Sequence, residues 1–145
     1  MHQFITSADL TAIIPEIILT ITALFVLSLE MMRVSRSSVS LLLSSLGLVI
    51  AGIVVIQGNI GSGDLFGGML KLNQYSVFFD ILYLLIGLLT LIFSQGYLMK
   101  KGTEFRGEYP ALILFSVIGM MLMTRANDLV ILFLGLELLS LSLYV

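Results

Sequence analysis

Five apolar runs, broadly 11–32, 39–57, 76–98, 109–124 and 127–145, constrain this chain more than any short motif in it. Each approaches the roughly 20 residues that a helix needs to cross a hydrocarbon core about 30 Å thick. A backbone in lipid has to satisfy its own N–H and C=O groups, which leaves helices and closed barrels. The alternating polarity of barrel strands is absent here. The runs predict an all-α integral membrane protein with five transmembrane helices, read as one membrane domain over 1–145. Composition agrees, with 59% hydrophobic and 11% charged residues and a mean hydropathy of +1.12, far from the balance of a soluble domain.

Loop charges give an orientation. Arg33 and Arg36 lie between the first and second runs, and Lys100, Lys101 and Arg106 between the third and fourth, against Lys71 and Arg125 on the opposite side. The positive-inside rule then puts the N-terminus outside and runs the fifth helix inward. The first ten residues, MHQFITSADL, lack a positively charged start and a cleavage signal, so the first run is expected to be retained as a span. The glycine-rich connection over 58–74 is placed outside, as a flexible loop or as a short hairpin around 65–72.

Several chemistries find no residues to carry them. The sequence has no cysteine, which excludes disulfides and thiolate-held zinc or iron–sulfur centres. Its one histidine, His2, reads as a solvated tail residue, and its eight methionines read as apolar filler. No cluster of Lys or Arg suggests nucleic acid as a partner. No phosphate loop, dinucleotide fingerprint or nucleophile elbow is present; Gly61-Ser62-Gly63 lacks the remaining glycines and a following helix.

One acid stands apart. Glu137 sits in the middle of the last apolar run, NDLVILFLGLELLSLSLYV, about 13 Å along the helix from Asp128 at 1.5 Å per residue. An ionisable group at such a depth costs at least roughly 2.5–3.5 kcal/mol, and it normally faces a partner, a water-filled cavity or an ion path. Proton handling is the leading expectation; a structural hydrogen bond to a neighbouring helix is the alternative. Residues three, four and seven apart share a helix face, which lines up Phe133, Glu137, Ser140 and Tyr144 as a partly polar stripe. No Lys, Arg or His falls inside the five runs. Either the carboxyl stays protonated among neutral groups, or its cationic partner lies outside this sequence.

The other acids read as solvated or interfacial: Glu16 and Asp80 near the outer ends of their helices, Glu30 near the inner end of the first. Pro15 with Glu16 fits a helix start, and Asn127 with Asp128 fits the caps of the fifth helix. Ser40, Ser44, Gly47 and Ala51 form a stripe of small residues, which predicts close approach of another helix.

The run over 108–145 carries a resemblance. Gly119-Met120-Met121, Ala126-Asn127-Asp128-Leu129 and Leu136-Glu137-Leu138-Leu139-Ser140 resemble subunit N of the proton-pumping NADH-quinone oxidoreductase, complex I. Pro15-Glu16-Ile17-Ile18-Leu19 and Phe66-Gly67-Gly68 extend the likeness more loosely toward the N-terminus. The resemblance implies an antiporter-like subunit of the membrane arm, in the inner cell membrane, beside other antiporter-like subunits. It implies that Glu137 transfers protons, paired with a lysine two helices further on. NADH and quinone serve the whole complex, and flavin and iron–sulfur clusters sit in other subunits, so this chain is expected to bind no cofactor itself.

The family typically carries fourteen helices with two inverted five-helix repeats, and this chain is read as the first part of that fold, ending inside the first repeat. A subunit of a multi-subunit sodium/proton antiporter or membrane hydrogenase, and a purely structural or assembly membrane protein, are the alternatives.

Overall fold

A computed structural model describes residues 7–32, 37–58, 63–101 and 108–144 of the chain. The loop charges Arg33, Arg36 and Arg106, together with His2 and Ser62, lie outside the described residues. The elements are a short helix α1 (Ser7–Ala12), then α2 (Ile14–Met31), α3 (Ser37–Gln57), a hairpin of β1 (Gly63–Leu65) and β2 (Leu70–Leu72), then α4 (Gln74–Lys101), α5 (Glu108–Arg125) and α6 (Leu129–Tyr144).

Among the described residues, four helices are long and apolar enough to cross a membrane, over Ile14–Met31, Val39–Gln57, Gln74–Gly96 and Glu108–Arg125. The last helix, α6, is apolar but has 16 residues, about 24 Å of axis at 1.5 Å per residue. These helices begin where the local chemistry favours it. Pro15 stands in the first turn of α2, where its missing N–H costs nothing. Before α4, the Asn73 side chain accepts from the Ser76 amide at 2.8 Å, and the Ser76 hydroxyl accepts from the Asn73 amide at 3.0 Å, a reciprocal cap. Asp128 caps α6 by accepting from the Val130 amide at 2.8 Å.

The centre of the bundle is α5, which packs against α2, α3, α4 and α6. Its Leu114, Val117 and Met121 interlock with Leu19 and Ala23 of α2, Leu48 and Ala51 of α3, and Leu84 and Leu91 of α4. The outward faces are apolar as well, as at Leu24, Leu42, Phe78, Leu85 and Phe93; a bundle greasy on both inner and outer faces suits lipid rather than water. The stripe of small residues on α3 is buried, and a side chain at Gly47 would run into Thr22 of α2 at 2.7 Å. A close backbone approach joins α5 to α6: a Cβ at Gly119 would lie 2.7 Å from the Gly135 carbonyl oxygen and 2.9 Å from the Leu139 amide. Only glycine permits that spacing.

The glycine-rich connection is ordered over 63–72, so the flexible-loop reading does not hold there. Gly63 faces Leu72, Asp64 faces Lys71 and Leu65 faces Leu70 across the antiparallel pair. A turn with positive φ at Phe66, Gly67 and Gly68 reverses the chain. Two strands of three residues are not stable alone; docking supplies the rest. Leu65 and Leu70 are buried, Leu70 bridges to Ala126, and the Asn127 amide donates to the Met69 carbonyl at 2.9 Å. The Asn127 side chain also donates to the Gly68 carbonyl at 2.8 Å, so Asn127 serves the hairpin rather than capping α6. On the other side, Asp9 of α1 accepts from the Phe66 amide at 3.2 Å.

Candidate functional site

Three charged side chains from three helices meet beneath the hairpin. Glu16 stands in the first turn of α2 and Arg125 is the last residue of α5, so each has the charge that its helix end favours. Asp80 lies nearly two turns into α4. The Arg125 guanidinium donates to Asp80 Oδ2 from Nε at 2.9 Å and from Nη2 at 2.5 Å, and to the Ala12 carbonyl from Nη1 at 2.8 Å. Glu16 Oε1 lies 2.7 Å from the same Nη1 but off the line of a hydrogen bond, so this contact is one of charge rather than of aligned donor and acceptor. Relative exposure is 3% for Arg125, 0% for Asp80 and 6% for Glu16.

This cluster corrects the sequence reading in two respects. Glu16 and Asp80 are not solvated, because the convergence of α2, α4 and α5 closes over them. Arg125 is not a loop charge: it belongs to the last turn of α5 and is buried, so a basic residue does stand within a membrane-length helix. All three were expected near the same outer end of their spans, and that shared depth was the available signal for the cluster.

Glu137 is the ninth residue of α6 and is half-buried. Among the described residues, no hydrogen bond or ion pair is recorded for its carboxyl. The Ser140 hydroxyl donates to the Glu137 main-chain carbonyl at 3.0 Å, not to the carboxylate. Tyr144 is 86% exposed and Phe133 59% exposed. The expected stripe exists as a shared helix face, but the side chains of Glu137, Ser140 and Tyr144 are not joined. What fixes the rotation of Glu137 is packing: Gly135 abuts Gly119 and Met123 of α5, and Leu138 leans on the core.

Two cavities of about 480 Å³ each flank α5. One lies between α2, the hairpin, α5 and α6, with Glu16, Thr20, Phe66, Leu70, Ile118 and Leu122 in its walls. The other lies between α4, α5 and α6 and carries hydroxyls of Thr90, Tyr109, Ser116 and Ser142. Among the described residues, no group of three or more His, Cys, Asp or Glu side chains is placed to hold a metal ion.

Long apolar helices around a small set of buried charges define a multi-pass membrane protein. No family model matches the sequence, but individual relatives do. The chain is 44% identical over 99 residues to NADH-quinone oxidoreductase subunit N of Chloroflexus aggregans, covering 68% of this chain and 20% of that protein. It is 36% identical over 144 residues to subunit N of Trichlorobacter lovleyi, covering 99% of this chain and 29% of the relative. With subunit N of Jannaschia sp. the identity is 38% over 143 residues, 96% of this chain and 29% of the relative. The chain belongs to the NADH-quinone oxidoreductase subunit N family, and it spans about a fifth to three-tenths of the length of these curated relatives.

Proposed function

We propose that this chain is part of a proton-translocating membrane subunit of NADH-quinone oxidoreductase, in which Glu137 takes up and releases the proton. The observation that carries the reading is a half-buried carboxyl eight residues into an apolar helix, with no counter-ion recorded among the described residues. An ionisable group inside an apolar span normally faces a partner, a water-filled cavity or an ion path. Ser140 and Tyr144 share its face and are the supporting polar groups.

In this reading residues 1–145 form one membrane unit with five crossings, α6 included, and an external N-terminus, in the inner cell membrane. Arg33, Arg36, Lys100, Lys101 and Arg106 on one side against Lys71 and Arg125 on the other support this orientation. The bilayer and other membrane-arm subunits, antiporter-like ones included, are the partners. Oxidation of NADH, the flavin and iron–sulfur chemistry and quinone reduction belong to other subunits. The names of the relatives favour this over a sodium/proton antiporter or membrane hydrogenase subunit.

The test is Glu137→Gln in the full-length subunit of the assembled, reconstituted complex. The amide keeps shape and hydrogen bonding while removing the exchangeable proton, so proton pumping falls by at least tenfold with assembly intact. Undiminished pumping sinks the role. Failed assembly that Glu137→Asp restores together with full pumping assigns Glu137 to structure instead.

A further inference from the structure

We propose that Glu16 is a second proton-holding site, set beside the fixed Arg125–Asp80 ion pair.

The charge count in the cluster leads there. Two carboxyls face one guanidinium, so full ionisation leaves a surplus negative charge buried, which is unfavourable unless something neutralises it. The guanidinium is committed to Asp80, with Nε and Nη2 both on Oδ2, and its Nη1 serves the Ala12 carbonyl. Glu16 receives only the misaligned approach of Nη1 to Oε1. Its Oε2 is buried and has no hydrogen-bond partner among the described residues, and a buried unpaired acceptor calls for one.

A proton on Glu16 meets both needs: it removes the surplus charge and turns an orphaned acceptor into an O–H donor. Asp80 is the poorer place for that proton, because it takes both charge-assisted bonds, which favour the ionised carboxylate, and is 0% exposed. Glu16 also contributes to the wall of a largely apolar cavity of about 480 Å³, while its two carboxyl oxygens are themselves buried. When the site ionises, the Oε2–H bond breaks and the proton passes to solvent, leaving a carboxylate beside Arg125; no electron moves.

The other charged groups around α2 do not alter this count. Asp9 on α1 is engaged by the Phe66 amide, and α3 carries no ionisable residue. On α5, Glu108 stands at the helix end opposite Arg125. Asp64 and Lys71 of the hairpin are exposed and face each other.

The inference does not rest on the role proposed for Glu137. It is tested by infrared difference spectra of the assembled complex, carrying the full-length subunit, across steps of pH in H2O and D2O. The expected result is a carbonyl-stretch band of a protonated acid that shifts in D2O and bleaches as pH rises. It persists in Glu137→Gln and is lost in Glu16→Gln, while Glu16→Gln leaves the unfolding temperature unchanged because the amide mimics the protonated acid. Spectra of wild type and Glu16→Gln that match at every pH overturn the proposal, as does a band lost in Asp80→Asn and kept in Glu16→Gln. Suppression of the band by sodium at constant pH also overturns it, in favour of a cation. If Glu16→Gln fails to assemble, carbon-13 glutamate in the Glu137→Gln complex decides: a pH-dependent band that does not move with the label rules Glu16 out.

Discussion

Arg125 grips Asp80 with two nitrogens on a single oxygen, Nε at 2.9 Å and Nη2 at 2.5 Å on Oδ2, in a site from which water is excluded. That pairing ties the end of α5 to the early turns of α4, while the third nitrogen holds α1 and α2 through the Ala12 carbonyl and Glu16.

Removing the guanidinium therefore strands two acids at once. Arg125→Gln is expected to cost about 3–5 kcal/mol, the range for breaking a buried pair from one side. Arg125→Lys recovers only part of that, because one ammonium cannot reproduce the fork. Thermal unfolding in detergent measures both; a lysine variant as stable as wild type contradicts the geometry described.

The contact of Gly119 with α6 is made to backbone, which cannot swing aside. Gly119→Ala is expected to force α5 and α6 apart and destabilise the protein by about 1–3 kcal/mol, as overpacking does. Gly96→Ala on α4 is the control: nothing lies within 4 Å of its added carbon, and alanine there gains helix propensity of up to about 1 kcal/mol. Equal effects of the two substitutions on unfolding refute the close approach.

The hairpin depends on Asn127 for its side-chain bond to the Gly68 carbonyl. Asn127→Ala removes that bond, worth about 1 kcal/mol. Amides of Leu65 and Leu70 are expected to exchange with solvent roughly fivefold faster, while those in the middle of α5 are unchanged. Identical exchange at the two leucines means that the docking does not hold the strands.

Orientation is open to direct labelling, since the sequence contains no native cysteine. Cysteines replacing exposed Lys71 on the hairpin and exposed Met32 at the end of α2 are expected to react with an impermeant maleimide from opposite faces, Lys71→Cys from outside. Labelling of both from one face overturns the assigned topology.

The helices were legible because a length of apolar sequence is a local property, and the stripe at Ser44 and Gly47 was legible because small residues have one main use between helices. The Glu16–Asp80–Arg125 cluster was not. Its partners are separated by 45 and 113 residues in the bonds that Arg125 makes, and helices apolar on every side give no amphipathic face from which to read azimuth. Depth was readable and direction was not. The hairpin was legible only as an alternative to a flexible loop: its glycines announce turns, but its stability comes from Ala126 and Asn127, more than fifty residues away in sequence. For Glu137, spacing could not foresee that the Ser140 hydroxyl would turn to the main chain.

The position of Arg125 in the chain also imposes an order on biogenesis. A ribosome delivers Glu16 and Asp80 before Arg125, their guanidinium partner among the described residues, so both acids are made before that counter-charge. Until α5 arrives, α2 and α4 are transient guests that can be protonated or left near the surface. The arrival of one arginine then ties α1, α2 and α4 to the end of α5.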